Sequence, residues 1–270
     1  MNFRRLVFTV LIVGLSALGG KFSSAQAQTQ PIDDLHAAWT EILSEYVIVS
    51  NDGINRFDYA ALKASESDTA HLNTYITDLA ARPLSSLPDD DQFAAWANLY
   101  NALTIQVIVE NYPVESILDI RSGIFSSGPW KRKLITVEGK KLSLDNIEHD
   151  ILRVRFDDPR VHYAVNCASI GCPNLGTSAW LAETLDQDLD AAARAYINHP
   201  RGVDLISAGT FRISSIYDWY QSDFGGGKAG VLDHIRQYAN EELQAKISKD
   251  ARIEKYGYDW SLNAPEGDAE

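Results

Sequence analysis

The helical stretch over residues 91–111 constrains the fold most. Its apolar residues recur every three or four positions, and Pro113 follows its end, as expected for a long helix with one buried face. The stripe consists of Phe93, Trp96, Tyr100, Leu103 and Val107. Similar stripes predict two earlier helices, around residues 35–46 and 72–79, and Asp58 is placed to cap a short helix between them.

The second half of the chain has short strands between its helices. Two hairpins are predicted, KLITV with KKLSL around Glu138-Gly139, and VDLI with FRIS around Ala208-Gly209. We also predict a helix from Ser143, a strand at 160–165, a helix at about 182–198, two short helices after the glycines at 225–227, and a last strand in KYGYDWSL. These elements predict an α+β fold whose helical N-terminal half packs on a small, mostly antiparallel sheet.

The N-terminus has the features of an export signal. Arg4 and Arg5 precede an apolar stretch at 6–18, and Ala25-Gln26-Ala27 is an A-x-A cleavage site. The apolar run of about 15 residues is shorter than the roughly 20 that span a bilayer. We predict a cleaved signal peptide at 1–27, an N-terminal helix and connecting loop at 28–57, one globular domain at 58–262, a tail at 263–270, and a periplasmic or secreted product.

The net charge of the chain limits the classes of partner that it is expected to bind. The sequence has 24 basic and 37 acidic residues, a net charge of −13. Loss of Arg4, Arg5 and Lys21 with the leader leaves 21 basic residues and a net charge of −16. Because this charge repels phosphate backbones and anionic lipid, we expect a small-molecule or peptide substrate, no nucleic acid and no membrane surface after cleavage. The sequence identifies no protein partner.

Both cysteines lie in HYAVNCASIGCPNL, residues 162–175. In an oxidising compartment, a Cys167–Cys172 disulfide would close a short loop and stabilise the fold by roughly 2 kcal/mol. Alternatively, one sulfur is a nucleophile, which needs a partner that generates the thiolate and donors that bind the oxyanion. His149 or His162 is the candidate partner, and the backbone N–H groups of residues 168–171 are the candidate donors.

Zinc is a third option for the two cysteines, with His149 and His162 as further ligands. The H-x4-C-x4-C spacing fits no familiar zinc module. We therefore predict no metal and no cofactor. The role of His162 is also open, because on a regular strand its side chain would point away from Cys167.

Asn98 and Asn101 are unusual because they lie three residues apart inside the long helix. Asn costs up to about 0.7 kcal/mol relative to Ala in a helix interior. Either these amides bond a neighbouring loop, or one of them orients a catalytic imidazole. His149, which follows Glu148, is likewise either paired on an exposed face with Asp145 and Arg153 or a base beside a site.

Five segments together resemble the family called domain of unknown function 547. They are WANLYNALT, LSLDNIEHDILR, DPRVHYAVNCASIGCPNL, INHPRGV and SSIYDWYQSDFGG, within residues 58–262. Plant members of the family resemble this chain around Cys167, Asn101 and His149, but tend to carry Ser at the Cys172 position and vary at His162. The resemblance implies that a disulfide is not the family-wide reason for Cys167.

The resemblance favours Cys167, His149 and Asn101 as one constellation. These residue types are similar to those of papain-like and transglutaminase-like enzymes, in reversed chain order, and imply a distant likeness of fold. We predict an exported thiol-dependent hydrolase or acyltransferase for a peptide or γ-glutamyl type amide or thioester. Cys167 attacks, His149 takes its proton and Asn101 holds the imidazole.

Secondary site candidates are His162, Cys172, Asn98 and Glu148. The aromatic residues Trp219, Tyr220 and Phe224 are assigned to the core. The alternative function is a non-catalytic exported binding domain that contains a local Cys167–Cys172 disulfide.

Overall fold

A computed structural model describes residues 31–121 and 128–265 of the chain. The predicted signal peptide lies outside the described residues, as does the end of the predicted tail. Within the described ranges, no helix is both long enough and apolar enough to cross a bilayer.

From residue 31 onward, four helices form the described N-terminal half, as the periodicity predicts. They are α1 (Ile32–Tyr46), α2 (Tyr59–Ala64), α3 (Glu66–Ala80) and α4 (Asp89–Asn111). Asp58 caps α2 by accepting a 2.8 Å hydrogen bond from the N–H of Ala61, as predicted. Two short strands, β1 (Val47–Ile48) and β2 (Arg56–Phe57), pair antiparallel between α1 and α2.

Helix α4 is the central element of this half. It packs against α2 and α3, and buried side chains occur all around it over most of its length. The exposed stretch is confined to its ends, since three aspartates form its first turn and Asn111 ends it. A helix buried on every side must find partners for its polar side chains within the protein.

The middle of the chain confirms one predicted hairpin and corrects two other elements. Strands β3 (Ile135–Val137) and β4 (Lys140–Leu142) pair antiparallel as expected. The helix predicted from Ser143 is a π-helix over Asn146–Leu152 that continues as α5 (Arg153–Phe156). The predicted strand at 160–165 is wrong, because Val161–Ala164 forms one helical turn, α6, with all four residues buried.

The C-terminal part contains the remaining helices and the largest sheet. The helices are α7 (Leu185–Ile197), α8 (Ile216–Trp219), α9 (Gly227–Tyr238) and α10 (Glu241–Lys246). Strand β5 (Val203–Ser207) forms the second predicted hairpin with β6 (Thr210–Ser214). Strand β7 (Arg252–Gly257) joins β6 in parallel, so the fold is α+β and its strand pairs are antiparallel except for this one. Three-residue 3-10 helices occupy Leu84–Ser86, Ile117–Asp119 and Ala182–Thr184.

Two apolar clusters fill the interior. The larger surrounds α4 and includes Leu262 from the C-terminal segment, whereas the smaller lies between α7, α9 and the three-stranded sheet. Tyr163 of α6 belongs to the smaller cluster, while its neighbours Val161 and Ala164 belong to the larger. The turn of α6 therefore stands where the two clusters meet, and the cysteine loop begins directly after it.

Gly202 joins α7 to β5 where no side chain fits. A Cβ at this position would lie 2.1 Å from the carbonyl oxygen of Tyr196. We expect Gly202→Ala to destabilise the protein by about 1–3 kcal/mol, because the backbone must shift to relieve the overlap. Denaturant unfolding measures the change, and Gly176→Ala, whose Cβ would stand 3.4 Å from the nearest atom, is the control. Equal midpoints for the two variants would contradict this account.

Candidate functional site

The cysteine loop is attached to α4 through Asn101. The Nδ2 group of Asn101 donates to the carbonyl oxygen of Ala164 at 2.9 Å, and its Oδ1 accepts from the N–H of Asn166 at 2.8 Å. Asn98, one turn earlier, bonds both backbone groups of Trp180 in the same manner, at 2.9 and 3.0 Å. Both asparagines thus bond neighbouring loops, which is one of the two roles that the sequence allowed.

Asn166 shapes the turn that carries Cys167. Its Oδ1 accepts from the N–H of Ala168 at 2.8 Å, and its Nδ2 donates to the carbonyl oxygen of Pro173 at 2.8 Å. Ala168 has a φ of +61°, in the left-handed region that non-glycine residues adopt at a cost. The chain therefore reverses sharply after Cys167, and the side chain of Asn166 holds both ends of the reversal.

The segment after β7 fixes the other side of the loop. Ile170 and Gly171 donate their N–H groups to the carbonyl oxygens of Ser261 and Asp259, both at 2.8 Å. Since the N–H of Ala168 also has a partner, three of the four backbone groups expected to bind an oxyanion are already used. That expectation is wrong for these three N–H groups, and side-chain hydroxyls become the main candidate donors beside the N–H of Ser169.

Both sulfurs contact one tyrosine hydroxyl. The Tyr258 hydroxyl lies 3.1 Å from the Sγ of Cys167 and 3.0 Å from the Sγ of Cys172. Ser169 donates to that hydroxyl at 3.0 Å, and its Oγ is 3.3 Å from the Sγ of Cys167. Both cysteines are free thiols, with Cys167 half-buried and Cys172 buried, so the disulfide of the alternative function is not formed in this structure.

One sulfur has a donor that the other lacks. The backbone N–H of Cys167 donates to the Sγ of Cys172 at 2.9 Å. Burial opposes ionisation of Cys172, but hydrogen bonds from the thiol of Cys167, from Tyr258, from Ser169 and from this N–H outweigh it and lower the pKa of Cys172 to about 6. The hydrogen bond between the thiols, together with burial, raises the pKa of Cys167.

The two thiols therefore act as one titrating unit. The first proton lost leaves a single negative charge on the pair, and the remaining proton lies between two sulfurs that share the same hydroxyl. The hydrogen bonds to Cys172 thus favour a pair with one thiolate and one thiol.

Arg201 places a positive charge behind the loop. Its guanidinium donates to the carbonyl oxygen of Ile170 at 3.2 Å and to Oδ1 of Asn174 at 2.6 Å, on either side of Cys172. Burial lowers the pKa of Arg201, and within the described ranges no carboxylate forms an ion pair with it. A half-buried cation without an acidic partner favours negative charge on the nearby sulfur.

His149 and Glu148 lie on the π-helix and are not among the described residues that contact the sulfurs. The Nδ1 of His149 accepts from Arg153 at 3.3 Å, and its Nε2 is 3.9 Å from Oδ1 of Asp145. Both residues are i,i+4 neighbours of His149, so these contacts match the non-catalytic role that the sequence allowed for His149. Glu148 is buried and hydrogen-bonds Tyr220, whose pKa is raised by burial and by this carboxylate.

His162 is held by a carboxylate and is not among the described hydrogen-bond partners of either sulfur. Its Nε2 is 2.8 Å from Oδ2 of Asp223, and Arg153 binds the same carboxylate through two bonds of 2.6 and 2.8 Å. The ring of Tyr220 is stacked on His162 at 4.2 Å, and the guanidinium of Arg153 lies 4.7 Å from the centre of that ring. Burial opposes ionisation of Asp223, but hydrogen bonds from His162 and Arg153 outweigh it and hold its pKa far below its usual range.

The structure thus brings together Cys167, Cys172 and, through the backbone, Asn101. It places His149, Glu148 and His162 in the adjoining network around Tyr220. Among the described residues, no three His, Cys, Asp or Glu side chains meet as metal ligands do. Tyr258, Ser169 and Arg201 were not predicted as site residues. Tyr258 lies in the predicted last strand segment, KYGYDWSL, and Arg201 lies in INHPRGV, one of the segments that resemble the family.

Comparison with known proteins gives one match. The family model described as "Protein of unknown function, DUF547" matches residues 84–197, which include α4, the π-helix and both cysteines. No curated protein and no solved structure matches the chain.

The bonds of Asn101 predict a stability effect. In Asn101→Ala, the buried N–H of Asn166 loses its partner, whereas the carbonyl oxygen of Ala164 keeps a 3.2 Å bond from the indole of Trp180. We expect a loss of about 2 kcal/mol in unfolding free energy, as for one unsatisfied buried group. Asn111→Ala, at the exposed end of α4, is the control. If both variants unfold alike in denaturant, Asn101 does not hold the loop.

The shared hydroxyl predicts a change in thiol titration. Tyr258→Phe removes a donor from both sulfurs, so the pKa of Cys172 rises from about 6 toward its ordinary value. The midpoint of iodoacetamide alkylation, followed by intact mass from about pH 5 to about pH 9 without reductant, should rise by at least about one pH unit. Tyr256→Phe is the control, because its hydroxyl contacts neither sulfur. An unchanged midpoint in Tyr258→Phe would remove this hydroxyl from the account.

Proposed function

The chain belongs to the family described as "Protein of unknown function, DUF547", and we propose that it is an exported thiol-dependent hydrolase or acyltransferase. Its substrate is an amide or thioester of the peptide or γ-glutamyl type. One observation carries the proposal, namely two free thiols on a single tyrosine hydroxyl, with hydrogen bonds that favour one thiolate near neutral pH. Thiolates are the reactive form of cysteine in acyl transfer.

Cys167 is the attacking sulfur in this proposal. It is the more exposed of the two and follows directly on the segment that Asn101 holds, whereas Cys172 is buried. The pair carries one proton. The hydrogen bonds favour the charge on Cys172, so attack begins when the Cys172 thiolate takes the proton of Cys167 and leaves the charge on Cys167. The buried thiolate of Cys172 thus acts as the base.

The two cysteines supply the electron pair and the proton that the first half of the reaction needs. The Cys167 thiolate adds to the carbonyl carbon, and the electrons of the C=O bond move to its oxygen. When this intermediate collapses, the bond to the leaving amine or thiol breaks and the leaving group takes the proton from Cys172. A thioester on Cys167 and a thiolate on Cys172 remain.

The second half of the reaction restores the pair. Water or an acceptor amine attacks the thioester and gives its proton to the Cys172 thiolate. Cys167 then leaves as the thiolate, which returns the pair to its starting charge. Hydrolase and transferase activity differ only in which of these nucleophiles reaches the thioester.

Side-chain hydroxyls are the proposed oxyanion donors. The hydroxyls of Tyr258 and Ser169 both lie within 3.3 Å of the Sγ of Cys167, next to the position of a bound carbonyl. Removal of one such donor from a thiol or serine enzyme typically costs about 10²–10³-fold in rate. His149 is the competing base, because an imidazole ring can take up and release a proton.

The proposal places this reaction outside the cytoplasm, in agreement with the leader-like sequence at residues 1–27. A small molecule or a peptide is the proposed substrate, since the net negative charge of the chain disfavours nucleic acid and anionic membrane surfaces.

Acyl-enzyme trapping tests the function. With p-nitrophenyl acetate at neutral pH, we expect one acetyl group on Cys167, identified by intact mass and peptide mapping. Cys167→Ser should abolish the adduct, and Cys172→Ser should slow its formation by about 10²-fold or more, as for loss of a base. Circular dichroism checks that both variants fold.

His149→Gln distinguishes the two bases. A rate close to that of the parent protein supports Cys172 as the base, whereas a loss of about 10²-fold with Cys172→Ser unaffected assigns that role to His149. If the thiols resist alkylation before reduction, or if Cys167 is free but never acetylated, the enzyme proposal fails in favour of a non-catalytic binding domain.

A further inference from the structure

An aromatic cluster borders the thiols on the surface of the protein. It consists of Trp130, Trp219, Tyr258 and Trp260. Trp219 lies 4.9 Å from Tyr258 and 5.6 Å from Trp260, measured between ring centres, and Trp130 lies 5.8 Å from Trp260. Trp219, which the sequence assigned to the core, is 47% exposed. Contiguous aromatic side chains that are exposed or half-exposed indicate a binding surface.

The cluster is continuous with the reactive sulfurs. Tyr258 belongs to both, because its ring packs on Trp219 and Trp260 at 4.9 and 4.6 Å while its hydroxyl contacts both Sγ atoms. A group that lies on the exposed face of Trp219 is therefore one aromatic ring away from Cys167. That separation suits two parts of one small substrate.

The charges around the cluster favour a cation. Asp218 and Asp259 are exposed, alternate with the aromatic residues in the chain, and form no ion pair among the described residues. The half-buried Asp145 donates its N–H to the carbonyl oxygen of Trp130, and burial raises the pKa of its carboxyl. The basic residues nearest the cluster are the run at 131–133, which follows Trp130 at the end away from Trp219, and Arg201, which lies behind the cysteine loop.

We propose that this cluster is a binding site for a cationic group of the substrate, an ammonium or a guanidinium on a peptide. The exposed face of an indole attracts such a cation through its ring quadrupole, and Trp is the most effective side chain in this role. The unpaired carboxylates and the net charge of −13 act in the same direction and disfavour an anionic group. The inference rests on the proposed function, for which it specifies the substrate.

Affinity labelling with three matched probes tests the site. Chloroacetyl-lysine amide, chloroacetyl-leucine amide and chloroacetyl-glutamate amide all present the same reactive carbon. The Cys167 thiolate forms a C–S bond to this carbon while the C–Cl bond breaks and chloride leaves. We expect the lysine probe to label Cys167 about five- to tenfold faster than the leucine probe, and the glutamate probe to be slowest.

Substitutions at Trp219 show where this selectivity originates. Trp219→Leu should reduce the lysine-to-leucine rate ratio to about one, and Trp219→Phe, which keeps an aromatic face, should retain part of it. Val154→Ala is the control, because Val154 is 73% exposed and lies on α5. Plain chloroacetamide, which carries no side chain, measures the intrinsic reactivity of Cys167 in each variant, and the rates of the three probes are compared after division by that rate.

Each outcome separates this inference from the proposed function. If plain chloroacetamide does not label Cys167 in the parent protein, the thiol enzyme fails first. If it does, and the leucine probe is equal to or faster than the lysine probe, the cluster binds an apolar group and the cation site is wrong. The same conclusion follows if Trp219→Leu keeps the selectivity for lysine.

Discussion

The two hydrogen bonds of the Asn101 amide are the contact on which the site depends. They join a fully buried helix to the backbone on both sides of Val165, two residues before Cys167. A side-chain amide matches one backbone N–H and one backbone C=O at once, so Asn101 replaces a missing strand partner for this segment. The cost of Asn inside a helix is offset because polar groups at this depth otherwise remain unpaired.

The same arrangement explains how the cysteine loop keeps an unfavourable backbone conformation. Ala168 stays in the left-handed region because the segment is held before it by Asn101 and after it by the N–H groups of Ile170 and Gly171. Close approach of Gly171 to Asp259 needs the absence of a side chain, since a Cβ there would lie 2.8 Å from two backbone atoms. Strain of this kind persists only when the surroundings over-determine it.

Much of the fold could be predicted from the sequence, because long helices are recognised by the spacing of their apolar residues and hairpins by their turn residues. The stripe from Phe93 to Val107 placed α4, and Glu138-Gly139 placed the first hairpin. The error at 160–165 has a physical reason: all four residues of α6 are buried, the polar His162 among them, so the alternation of polar and apolar residues does not mark an exposed face. A π-helix over Asn146–Leu152 likewise follows from packing rather than from local pattern.

Less of the site could be predicted, because its decisive contacts join distant parts of the chain. The sequence indicated both cysteines and the paired asparagines, yet Tyr258 reaches the sulfurs from 91 and 86 residues away. The expected backbone donors were reasonable for a turn, but the segment at 259–261 pairs with the N–H groups of Ile170 and Gly171. Local pattern contains no information on such pairing, since it depends on how the C-terminal segment returns to the loop.

In the proposed function, Tyr258 also couples recognition to reactivity. Its ring is part of the surface on which a cation would rest, and its hydroxyl donates to whichever sulfur carries the charge. A cation on that surface favours the thiolate by its own charge and withdraws electron density from the phenol, which makes the hydroxyl a stronger donor. By linkage, the ionised pair then binds the cation more tightly than the neutral pair does, by the same factor. The thiolate is thus favoured most when the substrate is in place.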